Sequence, residues 1–146
     1  MATARYPSLY QINTRVWLTE FSQRLCRPAK LDDIPDSELD RIAELGFDWV
    51  WFLSVWQTGL AAQQVSRNNP DWRKEFDETL PDLRQEDIAG SGFAITGYTV
   101  HEKLGGDVAL ARLRQRLRQR GLKLMPDFVP NHMALDHSCV EDYHDY

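Results

Sequence analysis

The fold of this chain is decided by the stretch Leu122-Lys123-Leu124-Met125-Pro126-Asp127-Phe128-Val129-Pro130-Asn131-His132. Its first half is a short apolar run of the kind that forms a buried strand. The run ends at a carboxylate, and an amide and an imidazole follow in the loop. In α/β barrels the carboxyl ends of the strands carry the chemistry, because the strands are rigid there while the loops vary. The stretch therefore predicts a strand end at a functional face.

Two further strands are predicted upstream. The run at 9–12 is rich in residues with high strand propensity, and so is Val16-Trp17-Leu18, which follows it. The run at 47–53, Phe-Asp-Trp-Val-Trp-Phe-Leu, is almost wholly apolar. A strand that is apolar on both faces is typical of a parallel sheet covered by helices. The sequence thus predicts three parallel strands.

Helices are predicted between these strands. Ser37 with Asp40 three residues later resembles a capping box, and Gly46 is a natural end for that helix. A second helix is predicted from Gly105 to Gly121, with one apolar face formed by Leu110, Leu113 and Leu117. Its other faces carry arginines at 112, 114, 116, 118 and 120. We interpret these arginines as a solvated flank, and a basic contact surface is the alternative.

Residues 54–92 form a long polar insertion between the second and third strands. Within it, Asn69-Pro70 offers a cap with proline in the first turn, and Trp72 and Phe76 lie one turn apart. This pattern predicts a short helix near 70–79. Insertions of this length are usually binding loops or lids.

The order of these elements is β-α-β-insertion-α-β, and parallel strands connected in this way cross over with a right hand. The prediction is a single α/β domain over residues 1–146. It corresponds to a partial TIM barrel, consisting of the first three β/α units with parallel strands. A complete barrel takes roughly 250 residues.

Composition excludes several classes of function. The net charge of −5 gives no general attraction to nucleic acid or to an anionic membrane. No apolar run reaches the ~18 residues of a membrane span, and the N-terminus has no apolar signal-peptide core. Cys26 and Cys139 have no metal or redox spacing and are expected to be reduced thiols. We expect a cytoplasmic protein.

Several motifs together resemble the α-amylase superfamily of glycoside hydrolases. They occur in order along nearly the whole chain, and the Asp-x-x-x-Asn-His element is the specific one. The segments concerned are 9–13, 47–51, Gly92-Phe93 to Tyr98, Leu104-Gly105-Gly106 and 127–132. The resemblance implies hydrolysis or transfer at α-glucosidic bonds, with α-glucan or an α-glucoside as substrate and no organic cofactor.

The resemblance also implies roles for four residues. Asp127 matches the aspartate that supports the sugar subsite, and His132 matches a histidine that hydrogen-bonds the sugar. Phe93 stands where members commonly place a tyrosine that stacks on the sugar, so the ring is kept and the hydroxyl is lost. Asn131 matches an asparagine that ligates calcium in many members, and its amide oxygen suits that hard cation. The chain departs from the family at Gly90-Ser91 and Gly97, where an aspartate is common.

Catalysis by the chain alone is not expected. A retaining glycosidase needs two carboxyl groups roughly 5–5.5 Å apart. In the family that the chain resembles, the nucleophile and the acid/base come from the fourth and fifth strands, and a third carboxylate comes from the seventh. We therefore assign no catalytic residue and predict that the isolated chain is inactive.

Simpler interpretations stay open for each of these residues. Asp127 could pair locally at a strand end, and His132 could be a hydrogen-bonded loop residue. Phe93, Trp51 and Trp56 could be core residues rather than sugar platforms. A transition-metal site is a further alternative, because imidazoles and carboxylates crowd the C-terminal 20 residues: Asp127, His132, Asp136, His137, Glu141, Asp142 and His144.

A second function class follows from the shape of a partial barrel. Three parallel strands leave two open edges, and exposed edges and apolar patches favour association. The alternative function is therefore a non-catalytic module that binds a partner or itself, with residual sugar binding. We expect a homo-oligomer formed through the open sheet edges. The alternative is that the insertion 54–92 and the C-terminal tail fold back over the open face of the sheet.

Overall fold

The computed structural model describes residues 6–142, which form two compact units within that range. The first unit contains the chain up to Val55 together with Thr99–Phe128, and the second contains Trp56–Tyr98 and the chain from Val129 onward. The prediction that residues 1–146 are a single domain with a 54–92 insertion stays a prediction.

The regular elements follow one another in an α/β order. Along the chain they are β1 (Leu9–Asn13), α1 (Thr14–Leu25), α2 (Asp36–Glu44), β2 (Trp49–Leu53), β3 (Trp56–Thr58), α3 (Leu60–Asn68), α4 (Pro70–Thr79), β4 (Ile95–Val100), α5 (Gly106–Gln119), β5 (Lys123–Pro126) and α6 (Ser138–Asp142). Short 3₁₀ turns occur at Leu31–Asp33, Gln85–Asp87 and Glu102–Leu104. None of the helices within residues 6–142 has the length and apolar character needed to traverse a bilayer.

The first unit is built on a three-stranded parallel sheet in the order β1-β2-β5. In the register of this sheet, Leu9 lies opposite Trp49, which in turn lies opposite Lys123. Val50 and Phe52, which lie on one face of the central strand, are fully buried, whereas Trp49, Trp51 and Leu53 on its other face are half-buried. The three strands run parallel. This confirms the predicted α/β fold with parallel strands, the beginning of a TIM barrel.

Helix α1 corrects the prediction that Val16–Leu18 has strand character, because these residues lie in its first half. The side chain of Asn13 caps the helix by accepting a hydrogen bond from the Val16 N–H at 3.3 Å. Leu18 and Phe21, three residues apart, are then buried on one face. Capping and burial at helical spacing outweigh the strand preference of the local sequence.

Helix α2 begins after Pro35, and Ser37 does not cap it, so the predicted capping box is wrong. The N-cap residue is Pro35, whose side chain has no acceptor atom, and the Glu38 N–H donates to the Pro35 carbonyl at 3.1 Å. The predicted apolar face is confirmed at Leu39 and Ile42, which are fully buried. Helix α5 likewise buries Leu113 and Leu117, while Ala109 joins its buried face in place of the half-buried Leu110.

The arginines along α5 correct the predicted solvated flank only in part, because Arg114 and Arg118 are exposed as predicted. The other three, spaced four residues apart, form ion pairs with carboxylates that have the same spacing on and just before α2. The pairs are Arg112–Asp32, Arg116–Asp36, Arg120–Asp36 and Arg120–Asp40, with N–O distances of 2.9, 2.8, 3.1 and 2.6 Å. This stripe, which we call the arginine stripe (112, 116 and 120), lies along the α2–α5 contact rather than facing only water.

The second unit contains the two-stranded sheet of β3 and β4 and the helices α3 and α4. Helix α4 spans Pro70–Thr79 and confirms the predicted helix over 70–79. Its cap is Asn69, whose side chain accepts hydrogen bonds from the N–H groups of Asp71 and Trp72. The sequence did not predict α3 or the β3–β4 pairing.

Candidate functional site

Asp127 follows directly after β5 and is 5% exposed. Its Oδ1 accepts a hydrogen bond from the indole Nε1–H of Trp51 at 2.7 Å. Its Oδ2 accepts one from the backbone N–H of Ser54 at 2.5 Å. Charge-assisted hydrogen bonds of this kind are among the strongest in proteins. The carboxylate therefore ties the end of β5 to the end of β2.

Ser54 explains what this tie stabilises. Its φ of +63° lies in the left-handed region, which a residue with a side chain adopts at a cost. The N–H held by Asp127 belongs to this strained residue. Asp127 thus fixes the turn by which the chain leaves β2, as the local-pairing interpretation expects. The role in sugar support that the resemblance implies stays a prediction.

Trp51 and Trp56 occupy different settings. Trp51 is half-buried in β2, where its indole N–H is held by Asp127. Trp56 is half-buried in β3 and contacts the ring of Tyr98 edge-on, with ring centroids 5.3 Å apart. Each tryptophan keeps part of its surface exposed, so neither is a fully buried core residue.

Phe93 lies in the second unit, just before β4, and is 38% exposed. Its backbone N–H donates to the Ser91 hydroxyl oxygen at 3.2 Å, which fixes the turn that precedes the strand. An exposed ring on a fixed backbone is suited to stacking against an apolar sugar face. Ser91 stands near the position where the family commonly has an aspartate, and here it serves the backbone of the turn.

Asn131 and His132 are both exposed in the loop that follows Asp127, and we call residues 129–136 the strand-end loop. This loop is anchored to β4. The Val129 N–H donates to the Tyr98 hydroxyl at 2.8 Å, and the Ala134 N–H donates to the Ile95 carbonyl at 2.9 Å. The amide and the imidazole are therefore presented between two anchored positions.

The structure divides the four predicted site residues between the two units. Asp127 belongs to the first unit, while Phe93, Asn131 and His132 belong to the second. Within the second unit, Asn131 and His132 share the strand-end loop, and Phe93 precedes the strand to which that loop is anchored.

Sequence reasoning did not find His101, which follows β4 and belongs to the first unit. The backbone N–H of His101 donates to the carbonyl of Val55 at 2.9 Å, and the Nδ1 atom of its imidazole accepts from the Lys103 backbone N–H at 3.2 Å. Burial lowers the pKa of His101 below its usual 6.5, and the positive charges of Arg15 and Lys103 lower this pKa further. The imidazole is thereby favoured in its neutral form, next to the turn that leaves β2. A histidine directly after a strand was the available signal in the sequence.

The predicted calcium ligand Asn131 stays a prediction. Across residues 6–142, no group of three or more His, Cys, Asp or Glu side chains is placed to hold an ion. Calcium takes 6–8 oxygen ligands, and Asn131 contributes one amide oxygen. The alternative transition-metal cluster includes His144 and the side chains of Glu141 and Asp142, which lie outside the part that the structure describes.

Comparison with solved structures supports the partial barrel. An alpha-amylase from Lactobacillus plantarum is 20% identical with a TM-score of 0.64, and the match covers 96% of this chain and 26% of that one. An α-glucosyl transfer enzyme, XgtA, is 21% identical with a TM-score of 0.57, covering 92% and 19%. A trehalose-6-phosphate hydrolase from Bacillus licheniformis is 19% identical with a TM-score of 0.56, covering 92% and 19%. At these identities the likeness shows the fold.

The parallel β1-β2-β5 sheet, its helical crossovers and the polar loop after β5 define part of a glycoside hydrolase-type (β/α)8 barrel. A model of the alpha-amylase catalytic domain matches residues 31–146. The chain therefore belongs to the alpha-amylase family, as the sequence motifs predicted. It spans about a quarter or less of the length of the solved structures named above. No curated protein sequence matches it.

Proposed function

We propose that this chain is the N-terminal part of an amylase-type catalytic barrel that acts on α-glucosidic bonds, and that it contributes sugar contacts rather than the bond-breaking groups. The observation that carries the proposal is the strand-end loop, which follows a buried carboxylate and presents an exposed imidazole. The family membership supports the same reaction class, hydrolysis or transfer.

The sugar contacts in this proposal come from Phe93 and His132. Phe93 offers an exposed ring on a fixed turn, and His132 offers an exposed hydrogen-bonding side chain on an anchored loop. Carbohydrate recognition needs both kinds of group, because a sugar has an apolar ring face and a polar rim. The expected ligand is an α-glucan or an α-glucoside, bound weakly.

The isolated chain is proposed to be inactive. Asp127 is buried, and its two oxygens accept hydrogen bonds from Trp51 and Ser54, so it is occupied in holding the sheet. A retaining mechanism requires a nucleophilic carboxylate and a second carboxyl group within about 5.5 Å of it. In the family these come from strands that follow the third, and we propose that they are supplied by the remainder of a barrel.

Two measurements on the 146-residue chain test this proposal. Titration with maltotriose is expected to shift the NMR signals of Phe93 and His132. In Phe93→Ala, the shift of the His132 signals is expected to disappear. Trp72→Ala is the matched control, because Trp72 is a comparably exposed aromatic residue on α4, at 41% against 38%. Equal shifts in wild type and Phe93→Ala would refute the sugar contact.

The second measurement is an assay for release of reducing ends from maltooligosaccharides and of nitrophenol from an aryl α-glucoside. The isolated chain is expected to give no rate above that of the Asp127→Ala variant or of buffer. Turnover that survives repeated purification and disappears on heating would contradict the proposed inactivity.

A second candidate function, self-association, is favoured by the sheet itself. Within residues 6–142, β1 and β5 each pair with β2 only, so each has one edge without a neighbouring strand. A second copy of this chain is the proposed occupant. Sedimentation velocity is expected to show an apparent mass that rises with concentration. A constant monomer mass from micromolar to millimolar concentration would eliminate this candidate.

Calcium is also part of the proposal, with Asn131 as one ligand. Because calcium takes 6–8 oxygen ligands and Asn131 contributes one, the remaining oxygens are proposed to come from other parts of a complete barrel. The isolated chain is therefore expected to show no change in melting temperature when millimolar calcium is replaced by a chelator. A clear stabilisation by calcium would mean that the chain alone holds the ion.

A further inference from the structure

Helix α3 begins without a cap from its own sequence. Its N-cap residue is Gly59, which has no side chain to accept a hydrogen bond from the first turn. The N–H of Ala61, the second helical residue, instead donates to Oδ2 of Asp136 at 3.1 Å, from a position 75 residues away in the chain. A capping oxygen normally comes from the N-cap residue itself and accepts from the second or third helical N–H. Asp136 therefore takes the place of the missing cap.

The fit between Gly59 and Asp136 is close. A Cβ added to Gly59 would lie 1.8 Å from Oδ1 of Asp136 and 2.5 Å from its carboxyl carbon. Gly59 has φ −78° and ψ 159°, which any residue can adopt, so its lack of a side chain matters for space and not for backbone conformation. Glycine at this position is what allows the carboxylate to approach the helix.

The carboxylate is held there at some cost. Oδ1 of Asp136 is buried and has no hydrogen-bond partner among the described residues. An unpaired buried oxygen is unfavourable, although the partial positive charge at the start of α3 offsets part of that cost for an anion. A buried oxygen without a hydrogen-bond partner calls for an explanation, and a further use of the Asp136–Gly59 contact supplies one.

That use is visible in the strand-end loop. Asp136 ends this loop, and the other two anchors are the Val129 N–H to Tyr98 and the Ala134 N–H to Ile95. Ala134 is buried, whereas His132 is exposed between the anchors. The loop is thus tied to β4 on one side and to the start of α3 on the other, all within the second unit.

We infer that Asp136 is a positioning residue for His132: by capping α3 against Gly59, it fixes the end of the strand-end loop and thereby the place of the imidazole. The inference rests on the proposed sugar contact of His132 for its functional meaning. Its structural content, that the Asp136–Gly59 contact sets the environment of His132, stands independently of any ligand.

The test breaks the same contact from its two sides. Asp136→Ala removes the acceptor, and Gly59→Ala displaces the carboxylate by the clash with its new Cβ. Asp136→Asn retains an acceptor oxygen for the Ala61 N–H and serves as the conservative rescue. Gly97→Ala is the matched control, because a Cβ there meets nothing within 4 Å. Should Asp136→Ala fail to fold, Gly59→Ala carries the test alone, because it breaks the same contact from the other side.

Two readouts without sugar come first. The exchange rate of the Ala61 amide hydrogen is expected to rise about fivefold in Asp136→Ala and Gly59→Ala, the change typical of a lost cap. In the same two variants the imidazole resonances of His132 are expected to shift, while Asp136→Asn and Gly97→Ala keep the wild-type signals. Unchanged His132 resonances alongside faster Ala61 exchange would overturn the inference, since Asp136 would then only cap α3.

Titration with maltotriose then connects the contact to binding. Asp136→Ala and Gly59→Ala are expected to weaken binding several-fold, and Asp136→Asn is expected to restore it. If wild type itself does not bind, the proposed function fails, and the sugar-free His132 resonances still decide the positioning role. Full-strength binding in both disruptive variants would also overturn the inference.

Discussion

Replacing Asp127 by asparagine is expected to destabilise the first unit strongly, although the change adds no volume. Asp127 is 5% exposed and accepts hydrogen bonds from two donors, the Trp51 indole and the Ser54 backbone. An asparagine offers one acceptor oxygen and one donor NH2 group, so one of the two buried donors must face another donor. A buried donor left unsatisfied costs about 1–3 kcal/mol, and bonds to a charged acceptor are worth about 1.5–3 kcal/mol.

Taken together, these effects predict a loss of about 2–4 kcal/mol for Asp127→Asn, because the lost charge and the orphaned donor overlap in part. In a chain of this size, 1 kcal/mol lowers the melting temperature by about 2–4 °C, so the expected decrease is roughly 4–16 °C. The assay is urea and thermal unfolding followed by circular dichroism. Asp82→Asn, on an exposed loop position, is the control and is expected to change stability by less than about 0.5 kcal/mol.

A double-mutant cycle with Trp51→Phe separates the hydrogen bond from the volume of the indole. Because Trp51 and Asp127 are bonded directly, the two changes are expected to be non-additive by about 0.5–3 kcal/mol. An Asp127→Asn variant as stable as the Asp82→Asn control would refute the reasoning. It would mean that the tie between β5 and β2 contributes nothing to the stability of the sheet.

Three further predictions address the first unit. Arg116→Gln is expected to lower the melting temperature in low salt and much less in 1 M NaCl, whereas Arg114→Gln on the exposed face is expected to have little effect in either; equal salt responses would contradict a role for the arginine stripe. Because the pKa of His101 is lowered in the folded state, its contribution to stability is present above pH 6.5 and is lost as the pH falls below that value. His101→Gln should therefore flatten the decline of stability below pH 6.5 in acid titrations of unfolding, and an unchanged slope would exclude this role. Leu113→Ala, at 1% exposure, is expected to cost about 2–5 kcal/mol in urea unfolding, while Val108→Ala, 61% exposed on the same helix, should be nearly neutral, so similar losses would contradict the assigned buried face.

The parts of the fold that the sequence predicted are those with a strong local signal. The β2 run is continuously apolar, α5 carries leucines at helical spacing, and α4 has an Asn-Pro start. Helix α3 has no such signal. Its buried residue is Ser66, while Leu60 and Val65 are exposed, so its apolar residues do not mark the face that is buried. It is held by contacts distant in sequence, as the cap from Asp136 illustrates.

The candidate site, like the fold, was predicted where the sequence carries a strong local signal. The motif located Asp127, Asn131 and His132, because strand ends followed by polar loops are recognisable locally. The partners of Asp127 were not predictable, since Trp51 and Ser54 lie more than 70 residues earlier in the chain. The left-handed conformation of Ser54 has no local signature either, because serine rarely adopts it.

Asp127, which precedes the strand-end loop, and Asp136, which is its last residue, use their carboxylates in the same manner. Asp127 accepts from the Ser54 backbone N–H, and Asp136 accepts from that of Ala61. Each donor lies at a point where the chain cannot satisfy it locally, a left-handed residue in one case and an uncapped helix start in the other. A carboxylate suits this task because it accepts without needing a donor of its own. His132 lies between Val129 and Asp136, whose hydrogen bonds to Tyr98 and Ala61 are within the second unit, so its exposed imidazole belongs to a loop held at both ends. That arrangement is what a binding group needs, since a side chain on an unanchored loop would lose much of its binding energy to ordering.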